Sequence, residues 1–141
     1  MTPKERAEAS AKALWAQDGA SSWLGMEMVD VNEGSAILEL TVQKHHCNGH
    51  QICHGGITFA LADSAFAFAG NSRNRNAVAQ HNVITYIAPA RLGDRLRAEA
   101  REVSLQGRNG IYDVRVTNQE RAVVAEFRGM LRVIKGHLFE E

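Results

Sequence analysis

Read by its apolar positions, the chain divides into a helical block, a hairpin, a second helical block and a run of strands. Residues 4–18 are rich in helix formers and stop at Gly19, which predicts an amphipathic N-terminal helix within residues 1–19, anchored by Leu14 and Trp15. Gly25 to Val31 and Ser35 to Val42 flank Asn32-Glu33-Gly34, a hairpin turn signal, and Ala36, Leu38, Leu40 and Val42 alternate with polar neighbours. A loop over residues 43–54 follows. Between Gly55 and Gly70 the polar side chains are Thr58, Asp63 and Ser64, so the second helix, residues 55–70, is apolar nearly all round and is expected to be buried on most of its surface. Beyond the polar link Asn71 to Asn76 come four strand-like runs: Ala77 to Ile87, Arg95 to Leu105, Ile111 to Thr117 and Ala122 to Ile134. Pro89, the turn Gln106 to Gly110 and the turn Asn118 to Arg121 separate them. Tyr112, Val114 and Val116 share one face, as do Val123, Ala125, Phe127, Leu131 and Val133.

Helix, two strands, apolar helix and four strands describe an α+β chain. A single curved antiparallel sheet of about six strands, wrapped around the buried helix, satisfies that order, because the strand meander needs an apolar partner and the Ala/Gly-rich helix permits close approach. A ferredoxin-like arrangement needs a second helix among the later strands, and the pattern offers none. The 141 residues, 45% hydrophobic, suffice for one domain spanning residues 1–141 with a real core. Formal net charge is zero, which argues against a general nucleic-acid binder. The apolar run at residues 57–69 is too short for a membrane span and carries Asp63, and no signal peptide precedes it, so the cytoplasm is the expected location.

The chemistry concentrates in Asn48-Gly-His-Gln-Ile-Cys-His54-Gly55-Gly56 and the helix that follows. Unpaired backbone N–H groups in a first helical turn carry partial positive charge, and Gly55 and Gly56 let a substrate carbonyl approach them, the layout of an oxyanion hole. Asp63 is a carboxylate in an apolar helix, where burial without a partner raises its pKa, as is common at catalytic positions. It lies eight residues beyond Gly55, about 12 Å along one helix axis, so a single chain does not easily bring both to one carbonyl. Two copies related by a two-fold axis, with helices roughly antiparallel, place Gly55 of one opposite Asp63 of the other, which predicts a dimer with two shared sites.

Cys47 and Cys53 lie in the run His45 to His54, which invites a zinc reading. The run forms one cluster, without the second separated pair of ligands that structural zinc sites use, so no metal is expected, and the alternative is two reduced thiols packed in a loop.

From about Gly25 to Val133 the chain resembles the hotdog-fold acyl-CoA thioesterases, and within them the phenylacetyl-CoA thioesterases of phenylacetate degradation. The resemblance rests on Asn48-Gly-His-x-x-x-His54-Gly55-Gly56 followed by Leu61-Ala62-Asp63, with Phe127-Arg128-Gly129 as a softer echo. It implies hydrolysis of a coenzyme A thioester without a cofactor, at the interface of dimers that pair into tetramers. By position, Asp63 is implied as general base or nucleophile, Gly55 as oxyanion donor with Gly56 beside it, and Asn48 and His54 as groups that orient carbonyl and water and hold the loop. A serine that some relatives place on the strand after the helix falls here on Ala79. Arg108, in the Gly-Arg turn, is a candidate for the coenzyme A phosphates. Two alternatives stay open: a hydratase or dehydratase using a His and acidic pair, and a non-catalytic acyl-CoA-binding module.

Overall fold

The computed structural model describes residues 1–141. Helix α1, Pro3–Ala16, starts on a capping box in which Thr2 accepts from the Glu5 N–H and Glu5 reaches back to the Thr2 N–H. It turns small residues inward, Ala7, Ser10 and Ala11, and sets Trp15 against Phe68 with ring centroids 5.9 Å apart. A short helix that the pattern did not announce follows at once: α2, Gly19–Leu24, capped by Asp18 and closed by Gly25 in the left-handed conformation. Six residues are too few to show a helical period, and the caps alone define it.

Strands β1, Glu27–Asn32, and β2, Ser35–Thr41, form the expected hairpin. The apolar helix is α3, Gly55–Gly70, and after it come β3, Ala77–Tyr86, β4, Arg95–Gln106, β5, Asn109–Thr117, and β6, Val123–Val133. All pairings are antiparallel, in the order β1-β2-β4-β5-β6-β3. The four later strands therefore do not form a simple meander. β4 pairs with β2, and β3 lies at the far edge against β6. This is the hotdog arrangement: one open six-stranded sheet that wraps α3 and does not close into a barrel.

Leu61, Ala62, Ala65, Phe66, Phe68 and Ala69 of α3 are buried against the inner faces of β2, β4, β5 and β6. The alternation expected for β5 holds, with Tyr112, Val114 and Val116 fully buried. On β6, Ala125, Phe127, Leu131 and Val133 share the buried face. The outer face carries the charges as cross-strand pairs: Asp113 lies directly opposite Arg128 and binds it through two hydrogen bonds of 2.7 and 2.9 Å, and Arg115 opposes Glu126 at 2.7 Å. Such pairs add register information, because a one-residue slip would move every one of them to the wrong face.

Candidate active site

The site is assembled where the loop over residues 43–54 delivers the chain into α3. Asn48 closes that loop as an Asx-type turn, its Oδ1 accepting from the N–H of His50 at 2.9 Å and of Ile52 at 3.4 Å. No acceptor in the chain takes the Asn48 Nδ2 hydrogens. His54 is the N-cap of α3, and its Nδ1 accepts from the Gly56 N–H at 2.8 Å. A neutral ring that accepts at Nδ1 carries its proton on Nε2. The Ile57 and Thr58 N–H groups turn to the His54 carbonyl at 2.9 and 3.3 Å. This leaves the Gly55 N–H as the first-turn donor without an acceptor in the chain, while the Gly56 N–H, also a candidate by sequence, is taken up by the cap.

The two glycines leave room for close neighbours. A Cβ on Gly55 would stand 3.1 Å from the Tyr86 hydroxyl, which donates to the Gly55 carbonyl at 2.7 Å. A Cβ on Gly56 would stand 3.0 Å from His54 Nδ1. Gly55, Asn48, Cys53, Thr58, Tyr86 and Val124 are among the residues lining a pocket of 340 Å³ at the helix mouth. A larger groove between α1 and β1, 730 Å³, contains none of the candidate residues.

Asp63 lies two turns further along α3, half-buried. Burial pushes its pKa above the ordinary carboxylate value, a hydrogen bond from Asn82 opposes that rise, and the nearby Asp18 carboxylate adds to it. Its donor is an amide and not a cation: Asn82 Nδ2 lies 3.1 Å from Asp63 Oδ1, and no Lys or Arg forms an ion pair with it. Asn82 Oδ1 is itself buried and has no partner. The residue of β3 that faces Asp63 is thus Asn82, and not Ala79, which pairs with Leu131 three positions earlier. A bulge at Gln80 shifts the register between Ala79 and His81, so counting along an ideal strand lands on the wrong side chain.

The structure brings Asn48, His54, Gly55 and Gly56 together and leaves Asp63 further down the helix, as the rise per residue requires. Arg108 is elsewhere. It sits exposed at the tip of the β4–β5 hairpin, its carbonyl accepting from the Val133 N–H at 2.7 Å. This is the end of the sheet where Leu131 packs on Gly70, the last residue of α3, and therefore the end opposite Gly55 in the same chain. The His/Cys run is built for packing: His46 is buried, its Nδ1 accepts from the Gln43 N–H at 2.9 Å and its Nε2 meets the Leu24 carbonyl at 2.8 Å, so both ring nitrogens are engaged.

The model of the thioesterase superfamily matches residues 50–125 of the chain. Acyl-coenzyme A thioesterase PaaI of Escherichia coli (strain K12) is 41% identical over 133 residues, 94% of either chain. The solved structure of the E. coli PaaI protein, from the phenylacetic acid degradation operon, superposes with a TM-score of 0.95 at 38% identity, covering 96% of this chain and 99% of that one. A Streptococcus mutans protein solved with bound acetyl-CoA matches with a TM-score of 0.77 at 28% identity, over 80% of this chain and 91% of that one.

Proposed function

The chain belongs to the thioesterase superfamily, and from that premise we propose that it hydrolyses an acyl-CoA thioester, of the aromatic phenylacetyl type, to the free acid and coenzyme A. The thioester carbonyl oxygen takes the unpaired Gly55 N–H at the positive end of α3, where charge that develops on the oxygen is stabilised. Asp63 removes a proton from water as the water oxygen attacks the carbonyl carbon, and the tetrahedral intermediate expels the coenzyme A thiolate. In the nucleophilic variant Asp63 attacks the carbon itself, the C–S bond breaks to release the coenzyme A thiolate, and water cleaves the resulting anhydride to the free acid and the restored carboxylate. Asn48 holds the loop through Oδ1 and offers its Nδ2 hydrogens to the substrate, while His54 fixes the first turn of α3.

The observation that carries this reading is the carboxylate of Asp63, half-buried in an apolar helix beside an amide and no cation. A carboxylate kept at such a depth for structure alone is normally paired or fully hydrogen-bonded, and this one has a single amide donor. Hydration or dehydration is less well supported, because those reactions ask a His to move protons at carbon and His54 Nδ1 is committed to the Gly56 N–H. A module that only binds acyl-CoA would have no use for the buried charge. The acetyl-CoA carried by the S. mutans relative supports the coenzyme A part of the substrate.

Gly55 and Asp63 serve one carbonyl only if a second copy is present, and β3 supplies the surface for it. This ten-residue edge strand contains no charged residue and no proline, and Val78, Val83 and Tyr86 are 48%, 52% and 51% exposed. Natural edge strands are guarded by charge, proline, a bulge or a covering element unless something pairs with them, and the bulge at Gln80 is the one such guard within β3. Pairing of β3 with its symmetry mate gives a homodimer with two shared sites, and a homotetramer follows as the expected higher assembly. Two unpaired cysteines and a coenzyme A substrate suit the cytoplasm. The test is coenzyme A thiol release across a panel of phenylacetyl, hydroxyphenylacetyl, benzoyl and medium-chain acyl-CoA thioesters. Turnover of the arylacetyl members above the rest is expected, and absence of hydrolysis across the panel refutes the proposal.

A further inference from the structure

The segment that carries Asn48 and His54 also carries both cysteines of the protein, and they stand opposite one another. Cys47 and Cys53 are antiparallel bridge partners. The backbone hydrogen bonds framing them lie outside the pair, from the Asn48 N–H to the Ile52 carbonyl and from the His54 N–H to the His46 carbonyl, each 2.8 Å. Cys47 and Cys53 are therefore a non-hydrogen-bonded pair, the kind in which Cα atoms approach to about 4.5 Å and side chains come closest. That separation falls within the ~4.4–6.8 Å that a disulfide spans. Both thiols are unpaired. Cys53 is buried, with the Thr58 hydroxyl donating to its Sγ at 3.6 Å, and Cys47 is partly exposed, its Sγ 3.5 Å from the Gln43 carbonyl. Neither thiol has a part in the proposed hydrolysis.

We propose that Cys47 and Cys53 form a modification site, which a peroxide converts to an intramolecular disulfide joining the two arms of the segment and slowing the enzyme, and which a small thiol restores. The partly exposed Cys47 thiolate attacks a peroxide oxygen; the S–O bond forms as the O–O bond breaks, and hydroxide leaves. The Cys53 sulfur then attacks the sulfenic sulfur; the S–S bond forms as the S–O bond breaks, and the departing hydroxide takes the Cys53 proton. Two thiols are oxidised and one hydrogen peroxide is reduced to two waters.

Turnover responds because Asn48 follows Cys47 and His54 follows Cys53. A disulfide holds its Cβ atoms at about 3.8 Å, closer than the ~4.5 Å at the near end of the cross-strand range where a non-hydrogen-bonded pair lies, so the arms draw together by under ~1 Å. The Cys53 arm is anchored by its N–H on the Ala90 carbonyl at 2.8 Å and by His54 on Gly56 at 2.8 Å, so any adjustment of that arm is felt at the His54 cap. A displacement of about 1 Å at an oriented site costs up to ~10² in rate, and a fall of about tenfold is expected here. That effect rests on the hydrolytic reading, whereas the cross-link does not.

The experiment treats the full chain with hydrogen peroxide, alkylates it under denaturing conditions and measures intact mass alongside thiol release. Expected are a mass lower by two hydrogens, no alkylation, a single-chain band on a non-reducing gel, a roughly tenfold loss of turnover and recovery with dithiothreitol. Cys47→Ser should hydrolyse substrate normally and keep its turnover in peroxide. Free alkylation of both thiols after peroxide, addition of oxygen without loss of hydrogen, cross-links between chains, or full turnover in the cross-linked protein each overturn the proposal. If no thioester is hydrolysed even before treatment, the mass measurement still decides the cross-link, and the failure belongs to the hydrolytic reading.

Discussion

Replacing Asp63 with asparagine should separate chemistry from folding. The carboxylate is half-buried, its pKa is held above the ordinary value by burial, and its donor is the Asn82 amide at 3.1 Å. A carboxylate whose pKa rises on folding destabilises the fold once it ionises. Below the unfolded-state pKa of ~3.9 it is neutral in both states and costs nothing; as pH rises past that value the unfolded chain releases its proton first, and stability falls until the folded pKa is passed. At neutral pH the native protein bears the whole penalty and the asparagine variant bears none. The variant also keeps an oxygen for Asn82 Nδ2 and adds an amide N–H that a side-by-side amide pair would give to Asn82 Oδ1, which is buried without a partner. Satisfying such an acceptor is worth about 1–3 kcal/mol.

At the low end of that range, about 1 kcal/mol raises Tm by roughly 3–5 °C in a chain of this size. Turnover should fall by ~10²–10⁴ if Asp63 is a general base, and further if it is the nucleophile. Calorimetry and thiol release on one preparation, at matched protein concentration, check both halves. The gain in Tm should shrink as pH is lowered toward the unfolded-state pKa, where the native carboxylate no longer ionises. A variant destabilised by about 3–5 kcal/mol would mean that Asp63 answers a cation and that its role is structural. A stable, active variant would remove it from the chemistry.

Asn82→Ala removes the hydrogen bond that favours the ionised Asp63, so the acid limb of kcat/KM should move to higher pH, with the loss of rate greatest at low pH; an unmoved limb would reduce Asn82 to packing. Mixing inactive Gly55→Val with inactive Asp63→Asn should restore about a quarter of native activity, because half of randomly paired dimers are hybrids with one intact site of two; no recovery despite measured subunit exchange would defeat the shared site. Arg108→Ala should raise KM with little change in kcat, and more so at low salt, if the partner subunit's helix mouth lies beside the β4–β5 tip; an unchanged KM would take Arg108 out of substrate binding.

The parts of the fold that could be read from the chain are those whose determinants are local. Helix α3 runs from Gly55 to Gly70, where an apolar stretch is bounded by a His cap and a polar link. The β1–β2 hairpin turns on Glu33-Gly34, and the buried faces of β5 and β6 follow period-two patterns written in consecutive residues. What could not be read depends on distant partners. Nothing within Ala77–Tyr86 says that it pairs with β6 and not β4, because the choice is made by how α3 and the link after it carry the chain across the sheet. Gly129, read only as an echo of a family motif, has a physical cause visible in the fold: a Cβ there would lie 2.7 Å from the Phe66 ring.

The same division runs through the site. Asn48, His54 and Gly55 were legible together because a loop and a helix cap bring them together within eight residues. Asp63 was legible alone, as a charge out of place. Its partner was not, since the contact joins residues nineteen apart across a helix end, a link and a bulge, and one extra residue at Gln80 changes which side chain of β3 turns inward. The unexplained charge nevertheless narrows the readings. A carboxylate in an apolar helix must find a cation, an amide or a reaction, and the amide of Asn82, with its own oxygen left buried and unpaired, satisfies only part of it. An incompletely satisfied pair on an edge strand is a poor device for stability, and in the proposed dimer it is a suitable one for holding a water molecule against a substrate presented by the second subunit.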